Sequence, residues 1–325
     1  MNANTPVTVG SLWFTYIKST RGHWLTTLGE KILVDGQGIL HDRRWVVVDK
    51  NSNFVAQRQG SASIPLVGQV NIPSRFGGGV AIRTMCQVAS HIAGDMLVIA
   101  APNMHELRVP VNGISGAEEE VAVWRNPPAS AVDQGKEASD WFSEFLSREE
   151  TGTYRLMRMS DTSFRPSKVG GARMGFQDSF PFMMISDASL GALNGKLLGH
   201  NQLVVTADRF RPNVWLSGCL AHAEDHFRQL RIGNILFEGA TLCDRCAVIC
   251  TEQQTGKVGP EPSATLAAYR KGETLLTDPA YHSPRLGLRG KEKSIFFGAN
   301  FSHSFVGPGP QYLTVGDKVE VLATD

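Results

Sequence analysis

The N-terminal part of the chain has the hydrophobic pattern of short strands separated by polar turns. An apolar, β-branched stretch covers Val7–Ile17, and a second covers Trp45–Val48. Met96–Ile99 and Leu107–Val111 are two further apolar runs joined through Pro102-Asn103, which predicts an antiparallel pair. Many short strands with frequent glycine and proline favour a barrel or a sandwich.

One stretch near the middle of the chain has helical periodicity instead. Ala138, Trp141, Phe142, Phe145 and Leu146 recur at spacings of three and four residues, which predicts a helix with one apolar face. We interpret this face as a packing surface and not as a binding site.

The C-terminal part mixes helices and strands. Ser186 precedes leucines at helical spacing and is predicted to cap a helix. The run Leu230–Phe237 has Gly233-Asn234 at its centre, which predicts a β-hairpin. A short helix is predicted after Pro262, and Val315–Val319 predicts the turn of a closing hairpin.

The length of 325 residues suggests about two domains. We expect an α/β, mainly β protein whose first domain covers residues 1–157 and whose second covers 158–325. The polar, glycine-containing segment at about 158–177 is interpreted as a loop or crossover between them.

Charge and cysteine content exclude several classes of protein. The 32 basic and 31 acidic residues form no block of like charge, so nucleic acid is not expected as a partner. Five cysteines, an odd number, favour a reducing compartment over a disulfide framework. The sequence shows neither a signal peptide nor a run near the roughly 18 apolar residues of a membrane span. We therefore expect a soluble, cytoplasmic protein without a membrane partner.

The box Cys243-Asp244-Arg245-Cys246 is the most informative chemical feature of the chain. Two thiols at this spacing fit half of a zinc site, a redox dithiol, or a single thiolate that ligates a metal cofactor. Zinc is disfavoured because the other three cysteines form no second pair. A redox dithiol is disfavoured because the box lies between the strand-like runs Ile235–Phe237 and Ala247–Ile249. A thiolate beside the Arg245 guanidinium suits a soft metal, and an inert buried pair is the alternative.

Four further places carry more polar residues than a core needs. They adjoin apolar runs, and they are Lys18-Ser19, Asp42-Arg43-Arg44, Asp178-Ser179 and Arg211-Pro212-Asn213. A lysine with a hydroxyl at a strand end fits a phosphate. Arg211 and Asn213 fit one face of a strand, since alternate residues share a face. Each place alone is explained by a turn or a surface ion pair. Together with the Cys box, they are the groups needed to hold a phosphorylated, heteroaromatic, metal-bearing cofactor.

In this order, these residues resemble the MOSC family, named for the C-terminal part of molybdenum cofactor sulfurase. The matching motifs cover nearly the whole chain, from about Thr15 to Leu322. They are Ile17-Lys18-Ser19, Asp42-Arg43-Arg44-Trp45, Arg209-Phe210-Arg211-Pro212-Asn213, Ala223-Glu224-Asp225, Arg231-Ile232-Gly233, Cys243-Asp244-Arg245-Cys246 and Phe297-Gly298-Ala299-Asn300. More closely, the motifs resemble those of the two-part members of the family, the mitochondrial amidoxime-reducing component and bacterial reductases of N-hydroxylated bases. The resemblance implies a MOSC N-terminal β-barrel domain with a C-terminal helix (1–157) and a MOSC β-barrel domain with peripheral helices (158–325).

The resemblance also implies a molybdenum cofactor, Mo-molybdopterin. By that likeness, Cys246 is the catalytic residue and the protein ligand of molybdenum. The positions that hold the cofactor phosphate are matched by Lys18, Ser19 and Arg43. The positions that line the pterin are matched by Ser179, Arg211, Asn213, Asp244 and Arg245, with Asn300 near the pocket. Asp244 replaces the small hydroxyl residue usual in the family, and a carboxylate beside an anionic cofactor is expected to weaken binding or change the redox poise.

The implied activity is the reduction of N-hydroxylated small molecules, from N–OH to N–H and water, in detoxification. Electrons are expected from a separate flavoprotein or ferredoxin. We expect no fused iron–sulfur cluster, flavin or NAD site, because no dinucleotide fingerprint occurs and no cysteine follows Cys250. The alternative is a sulfur carrier or sulfurtransferase in which Cys246 holds a persulfide during cofactor maturation. A cofactor-binding protein without turnover is a third possibility.

Overall fold

The structure, a computed structural model, describes residues 6–57, 80–124, 127–167 and 169–325. These residues form an α/β, mainly β fold. The strands of the first part are β1 (Thr8–Phe14), β2 (His23–Leu25), β3 (Lys31–Asp35), β4 (Gly38–Ile39), β5 (Trp45–Asp49), β6 (Val55–Ala56), β7 (Val80–Ala81), β8 (Ala89–Ala93), β9 (Met96–Ala100), β10 (Leu107–Pro110), β11 (Glu118–Val121) and β12 (Ala129–Asp133).

The remaining strands and the helices complete the architecture. The strands are β13 (Tyr154–Met159), β14 (Arg165–Pro166), β15 (Arg173–Met174), β16 (Phe182–Ser186), β17 (Val214–Ser217), β18 (Phe227–Ile232), β19 (Ile235–Asp244), β20 (Phe296–Phe305), β21 (Gln311–Thr314) and β22 (Val319–Thr324). The α-helices are α1 (Lys136–Leu146), α2 (Asp187–Gly199), α3 (Ser263–Ala267) and α4 (Gly272–Leu275). Short 3₁₀ turns cover Arg83–Gln87, Ala207–Arg209, Ala223–His226, Ala247–Cys250, Pro279–Tyr281 and Pro284–Leu286.

The largest sheet has eight strands in the order β2-β1-β17-β16-β20-β19-β18-β22. The pair β16–β17 is parallel, whereas the other pairs are antiparallel. Its core includes the buried side chains of Leu12, Phe182, Leu230 and Phe237. The N-terminal strands β1 and β2 therefore belong to a sheet otherwise made by the C-terminal part. The division into two domains at residue 157 stays a prediction.

A second core forms around α1. The predicted apolar face is confirmed, since Trp141 and Phe142 are buried with Val47 and Leu156 in one cluster. The Trp141 indole Nε1 also donates to the carbonyl of His105 at 2.7 Å, which satisfies its polar atom. Burial of each large apolar side chain stabilises the fold by about 1.5–3 kcal/mol. The helix is thus a packing element, as its sequence pattern indicates.

Several local predictions are confirmed. Strands β18 and β19 form the expected hairpin, in which Gly233 takes the left-handed conformation (φ 55°) that the tight turn requires. Strands β9 and β10 pair antiparallel, with Leu107 opposite Ile99. The Ser186 hydroxyl accepts a hydrogen bond from the Ser189 amide at 3.1 Å and caps α2.

Other local predictions are wrong. Residues 315–319 do not close a hairpin, because β21 pairs with β3 and β22 with β18. The turn binds the start of β1 instead, through bonds such as that from the Gly316 amide to the carbonyl of Val9. Ala247–Ile249 is a 3₁₀ turn and not a strand. The ladder between β19 and β20 ends before it, since β20 begins at Phe296, opposite Asp244.

The structure defines two further predicted segments in more detail. The helix after Pro262 ends at Ala267. The crossover at 158–177 contains the short hairpin β14–β15. Within the described residues, no helix combines the length and the apolar character that a membrane crossing needs.

Candidate cofactor site

A cleft of ≈ 950 Å³, counted with its open mouth, lies where loops at the ends of several strands meet. The residues predicted for the cofactor all line it, and they are Lys18, Ser19, Arg43, Ser179, Arg211, Asn213, Asp244, Arg245, Cys246 and Asn300. They come from segments far apart in the chain, so only the fold brings them together. Their roles in binding stay predictions.

Lys18 provides a buried cation in this cleft. Its Nζ donates to the carbonyl of Phe176 at 2.9 Å and forms an ion pair with Asp178. Burial lowers the pKa of Lys18 to about 8, while Asp178 opposes this change and Arg43 and Arg165 add to it. The Lys18 side chain is therefore a desolvated cation among other cations, an arrangement that an anion stabilises.

Two arginines of the cleft share one aromatic support. The guanidinium carbons of Arg43 and Arg211 lie 5.1 and 4.6 Å from the ring centroid of buried Trp13. Gly22 packs against this ring so closely that an added Cβ would lie 2.0 Å from it, which explains the glycine. Burial, then the charge of Arg43, lowers the pKa of Arg211 to about 9, so its guanidinium stays protonated at neutral pH.

Asp42 is the buried carboxylate that organises these groups. Its Oδ1 accepts from the Thr15 amide at 2.9 Å. Its Oδ2 accepts from Arg43 at 2.5 Å, Asn213 at 3.2 Å and Gln177 at 3.3 Å. One backbone amide and three side chains, from four parts of the chain, are thereby held around one charge.

The backbone of the cleft is unusually often left-handed. Ser19, Arg43, Trp124 and Arg211 have φ values of 71°, 50°, 56° and 56°. For residues other than glycine, this conformation costs roughly 1–2 kcal/mol each. Strain of this kind concentrates at ligand-binding sites, where the surrounding structure holds it in place.

The Cys box lies at the end of β19, and its arginine engages one thiol. Arg245 Nη1 donates to the Cys243 sulfur at 3.1 Å, and Nη2 donates to the carbonyl of Phe210 at 2.7 Å. Burial raises the pKa of Cys243, whereas the charge of Arg245 opposes this. Cys246 is half-buried and immediately precedes the turn Ala247–Cys250. Buried Arg245 Nε has no partner among the described residues.

Other predicted residues have partners within the protein. The Asn213 amide accepts from the Met183 amide at 3.2 Å besides donating to Asp42. It lies in the loop before β17, so the prediction that Arg211 and Asn213 share a strand face is wrong. The Asn300 amide donates to the carbonyl of Leu242 at 3.3 Å. Exposed Asp244 forms an ion pair with Lys291 at 3.3 Å.

Sequence reasoning missed Gln57 and Trp124, which line the cleft, and Gln253, which contacts Gln57. Gln57 and Gln253 exchange hydrogen bonds of 3.1 and 3.0 Å, and Gln57 also donates to the Ser19 carbonyl at 2.7 Å. Trp124 donates its indole proton to Asp178 at 2.8 Å. Gln57 and Trp124 belong to no recognisable motif, so the sequence offered no signal for them. Asp178 differs, because it belongs to the polar motif Asp178-Ser179 that the sequence does show.

The residues present fit a phosphorylated, sulfur-bearing cofactor. Lys18, Arg43, Arg211 and Arg245 supply positive charge and donors, and Arg245 Nε is a buried donor with no partner in the described part of the chain. Cys246 adds a soft ligand. No three metal-binding side chains cluster among the described residues, so protein groups alone provide no metal site there.

Fold and cleft together define a mainly β protein with a cationic, thiol-containing cleft whose residues fit an anionic cofactor. Residues 171–320 match the MOSC domain, and residues 80–149 match the MOSC N-terminal beta barrel domain. The chain therefore belongs to the MOSC-domain family, and the resemblance predicted from the sequence is confirmed.

Curated relatives of this family match nearly the whole chain. Mitochondrial amidoxime reducing component 2 of Bos taurus is 29% identical over 96% of this chain and 82% of the relative. Mitochondrial amidoxime-reducing component 1 of Homo sapiens is 27% identical over 97% and 83% of the two chains. Molybdenum cofactor sulfurase of Oryza sativa subsp. japonica is 28% identical over 73% of this chain but only 28% of that longer protein.

Proposed function

We propose that the protein is a molybdenum-cofactor-dependent oxidoreductase that reduces N-hydroxylated small molecules. Two electrons and two protons convert N–OH to N–H and water. The observation that carries this proposal is the convergence of all ten predicted residues on one cationic cleft that contains Cys246. Similarity to amidoxime-reducing components over nearly the whole chain supports the substrate class. A separate flavoprotein or ferredoxin as electron donor, and a cytoplasmic location, belong to the same proposal.

The chain contributes positioning and charge to this reaction. Lys18, Ser19 and Arg43 would hold the cofactor phosphate, and Arg211 and Arg245, which also line the cleft, would lie along the rest of the cofactor. When bound, the cofactor supplies two-electron chemistry at molybdenum.

The contacts of the Cys box favour Cys246 over Cys243 as the metal ligand. Cys243 is already bound by the Arg245 guanidinium at 3.1 Å, and its burial raises its pKa, which disfavours the thiolate. Cys246 borders the cleft and is half-buried. The arginine thus engages one sulfur and leaves the other for the metal.

The matched variants Cys246→Ser and Cys243→Ser test this assignment. Both are made in a host that synthesises the cofactor, and molybdenum, pterin and amidoxime reduction with a chemical reductant are measured. We expect Cys246→Ser to abolish reduction and Cys243→Ser to have a milder effect, with circular dichroism as the control for folding. Stoichiometric zinc without pterin in the unmodified protein would contradict the proposal, and a reversed order of the variants would contradict the ligand assignment.

The electron donor is tested by following NADPH consumption with an amidoxime. The protein alone should not consume NADPH, because the sequence contains no dinucleotide fingerprint. A flavoprotein reductase, with or without a ferredoxin, should start turnover. Turnover without any added protein would show that the separate donor is not needed.

A second function is favoured by one observation, the similarity to molybdenum cofactor sulfurase over 73% of this chain. In this alternative, Cys246 carries a persulfide that is transferred to a maturing cofactor. Mass spectrometry of the isolated protein distinguishes the two functions. A transferable persulfide on Cys246, together with no amidoxime reduction, would favour the sulfur carrier.

A further inference from the structure

Arg165 is a fully buried guanidinium outside the lining of the cleft. Its side chain is 0% exposed, and no carboxylate within the described residues forms an ion pair with it. Backbone carbonyls take its place: Nη1 donates to Gly175 at 3.2 Å and Gln177 at 2.7 Å, and Nε donates to Pro127 at 3.3 Å. Nη2 is buried and has no partner in the described part of the chain. A buried charge without a counter-charge is costly, so its presence calls for an explanation.

Two of the carbonyls that Arg165 binds, those of Gly175 and Gln177, belong to the loop that forms one wall of the cleft. Within residues 175–179, Phe176 accepts from Lys18 at 2.9 Å, and Gln177 donates to the carbonyl of Asp42 at 3.0 Å. Gly175 lies so close to the chain at Arg43 that an added Cβ would be 3.1 Å from its carbonyl oxygen. Arg165 therefore fixes the backbone that joins Lys18 to Asp42.

The charge of Arg165 also reaches the cleft. It is among the charges that lower the pKa of Lys18, and the carboxylate of Asp178 in turn favours the charged form of Arg165. Lys18, Arg43 and Arg165 thus form a group of cations on this side of the cleft. Asp178 is paired to Lys18 and Asp42 to Arg43, whereas Arg165 has no ion pair within the described residues. A bound anion is the natural partner for the remaining positive charge.

We propose that Arg165 is a positioning residue of the anion site, which shapes the loop 175–179 and adds its positive charge to the field that holds the cofactor phosphate. The identity of the anion rests on the proposed function, whereas the role of Arg165 in anion binding does not. A purely structural role would need the hydrogen bonds but not the charge. The two roles are therefore separated by variants that change them independently.

The experiment measures the affinity of the cofactor-free full chain for inorganic sulfate by calorimetry. Arg165→Met removes charge and donors, Arg165→Gln keeps a donor without the charge, and Arg165→Lys keeps the charge. Arg158→Met is the matched control, because Arg158 is also buried and binds the carbonyls of Val111 and Met159 but does not line this cleft. Circular dichroism checks folding in each case.

We expect sulfate affinity to fall about tenfold in Arg165→Met and Arg165→Gln, the effect of one nearby charge at an intermediate effective dielectric constant. Arg165→Lys should stay within about threefold, and the Arg158→Met control should not change. Unchanged affinity in folded Arg165→Gln would overturn the proposal. If Arg165→Met does not fold, Arg165→Gln alone decides.

The pH profile of sulfate binding provides the second readout. Sulfate keeps its charge in the alkaline range, so binding falls there as Lys18 loses its proton, around its pKa of about 8. The charged groups that act on Lys18 are Asp178, Arg43 and Arg165. Without the Arg165 charge, the pKa of Lys18 rises, and the loss of binding should move to higher pH. Arg165→Lys should leave the pH of this loss unchanged. An unchanged pH profile in Arg165→Gln would count against the proposal.

The outcomes also separate this inference from the proposed function. If the purified protein contains no molybdenum or pterin but Arg165→Gln weakens sulfate binding, the anion site stands and the proposed cofactor is wrong. If molybdenum is present but Arg165→Gln binds sulfate and retains the metal as the unmodified protein does, the inference about Arg165 is wrong and the proposed function stands.

Discussion

Replacing Asp42 by asparagine tests whether one buried carboxylate organises the cleft. Asp42 has a fully buried side chain and accepts from the Thr15 amide, Arg43, Asn213 and Gln177. Asparagine preserves the shape but removes the charge. If its oxygen keeps the bond to Thr15, its NH₂ group faces three other donors. The substitution therefore leaves the Arg43 guanidinium, whose side chain is only 12% exposed, without its counter-charge.

The expected loss follows from the burial of this pair. Breaking one side of a buried ion pair costs about 3–5 kcal/mol, because the remaining charge is uncompensated. Asp161→Asn is a matched control, since Asp161 also binds two arginines, Arg44 and Arg158, each at 2.8 Å. Its side chain is 69% exposed, so water replaces the lost contacts, and the cost should stay below about 1 kcal/mol.

Urea unfolding of both variants, followed by far-ultraviolet circular dichroism, measures the two changes. The midpoint should fall clearly in Asp42→Asn and little in Asp161→Asn, with similar slopes. If the two variants lose the same stability within about 0.5 kcal/mol, the role assigned to Asp42 is wrong, since burial would then not decide the cost.

Three further predictions concern the same cleft and its surroundings. The pKa of Lys18 is about 8 in the folded protein against an ordinary 10.5. Between these pH values the unfolded chain binds more protons than the folded protein, so the free energy of unfolding should rise with pH in this range. Lys18→Met should remove that rise in a pH series of urea midpoints and reduce molybdenum retention. Asp244→Ser breaks only a half-exposed contact with Lys291, so stability should change by less than about 1 kcal/mol, while metal analysis should show molybdenum retained to higher salt. Arg270→Met leaves fully buried Asp225 without its partner at 2.6 Å and should cost about 3–5 kcal/mol in urea unfolding, with sulfate affinity unchanged.

The polar motifs, together with the resemblance to the MOSC family that they carry, were enough to predict residues that line the cleft. Lys18-Ser19, Asp42-Arg43, Arg211-Pro212-Asn213 and the Cys box each adjoin a strand, and the structure gathers them as expected. The motifs adjoin strands of two different sheets, since Asp42-Arg43 precedes β5 whereas the other three adjoin β1, β17 and β19, so no single sheet edge accounts for their meeting. The wrong prediction of a hairpin at 315–319 shows a limit of reasoning from local sequence. Local turn chemistry does not reveal which strands pair, and here β21 and β22 join different sheets.

The residues that sequence reasoning missed are held by contacts between distant parts of the chain. Gln57 and Gln253 are 196 positions apart, and neither belongs to a pattern that predicts their mutual hydrogen bonds. Arg165 illustrates a second limit. It lies in a polar segment that reads as a surface loop, yet its side chain is fully buried, because backbone carbonyls satisfy it. Periodicity identifies buried apolar faces, but it does not distinguish a solvated arginine from one that carbonyls hold.

The cleft combines features that each destabilise the fold on their own. Left-handed backbone occurs at Ser19, Arg43 and Arg211, and burial disfavours the charged forms of Lys18 and Arg165. Several independent destabilising features at one place are difficult to explain by packing, because an apolar cluster would contain none of them. A ligand that binds only the folded protein and carries negative charge offsets these costs together. The concentration of strained backbone and buried cations at one place therefore supports the proposal that this cleft binds an anionic cofactor.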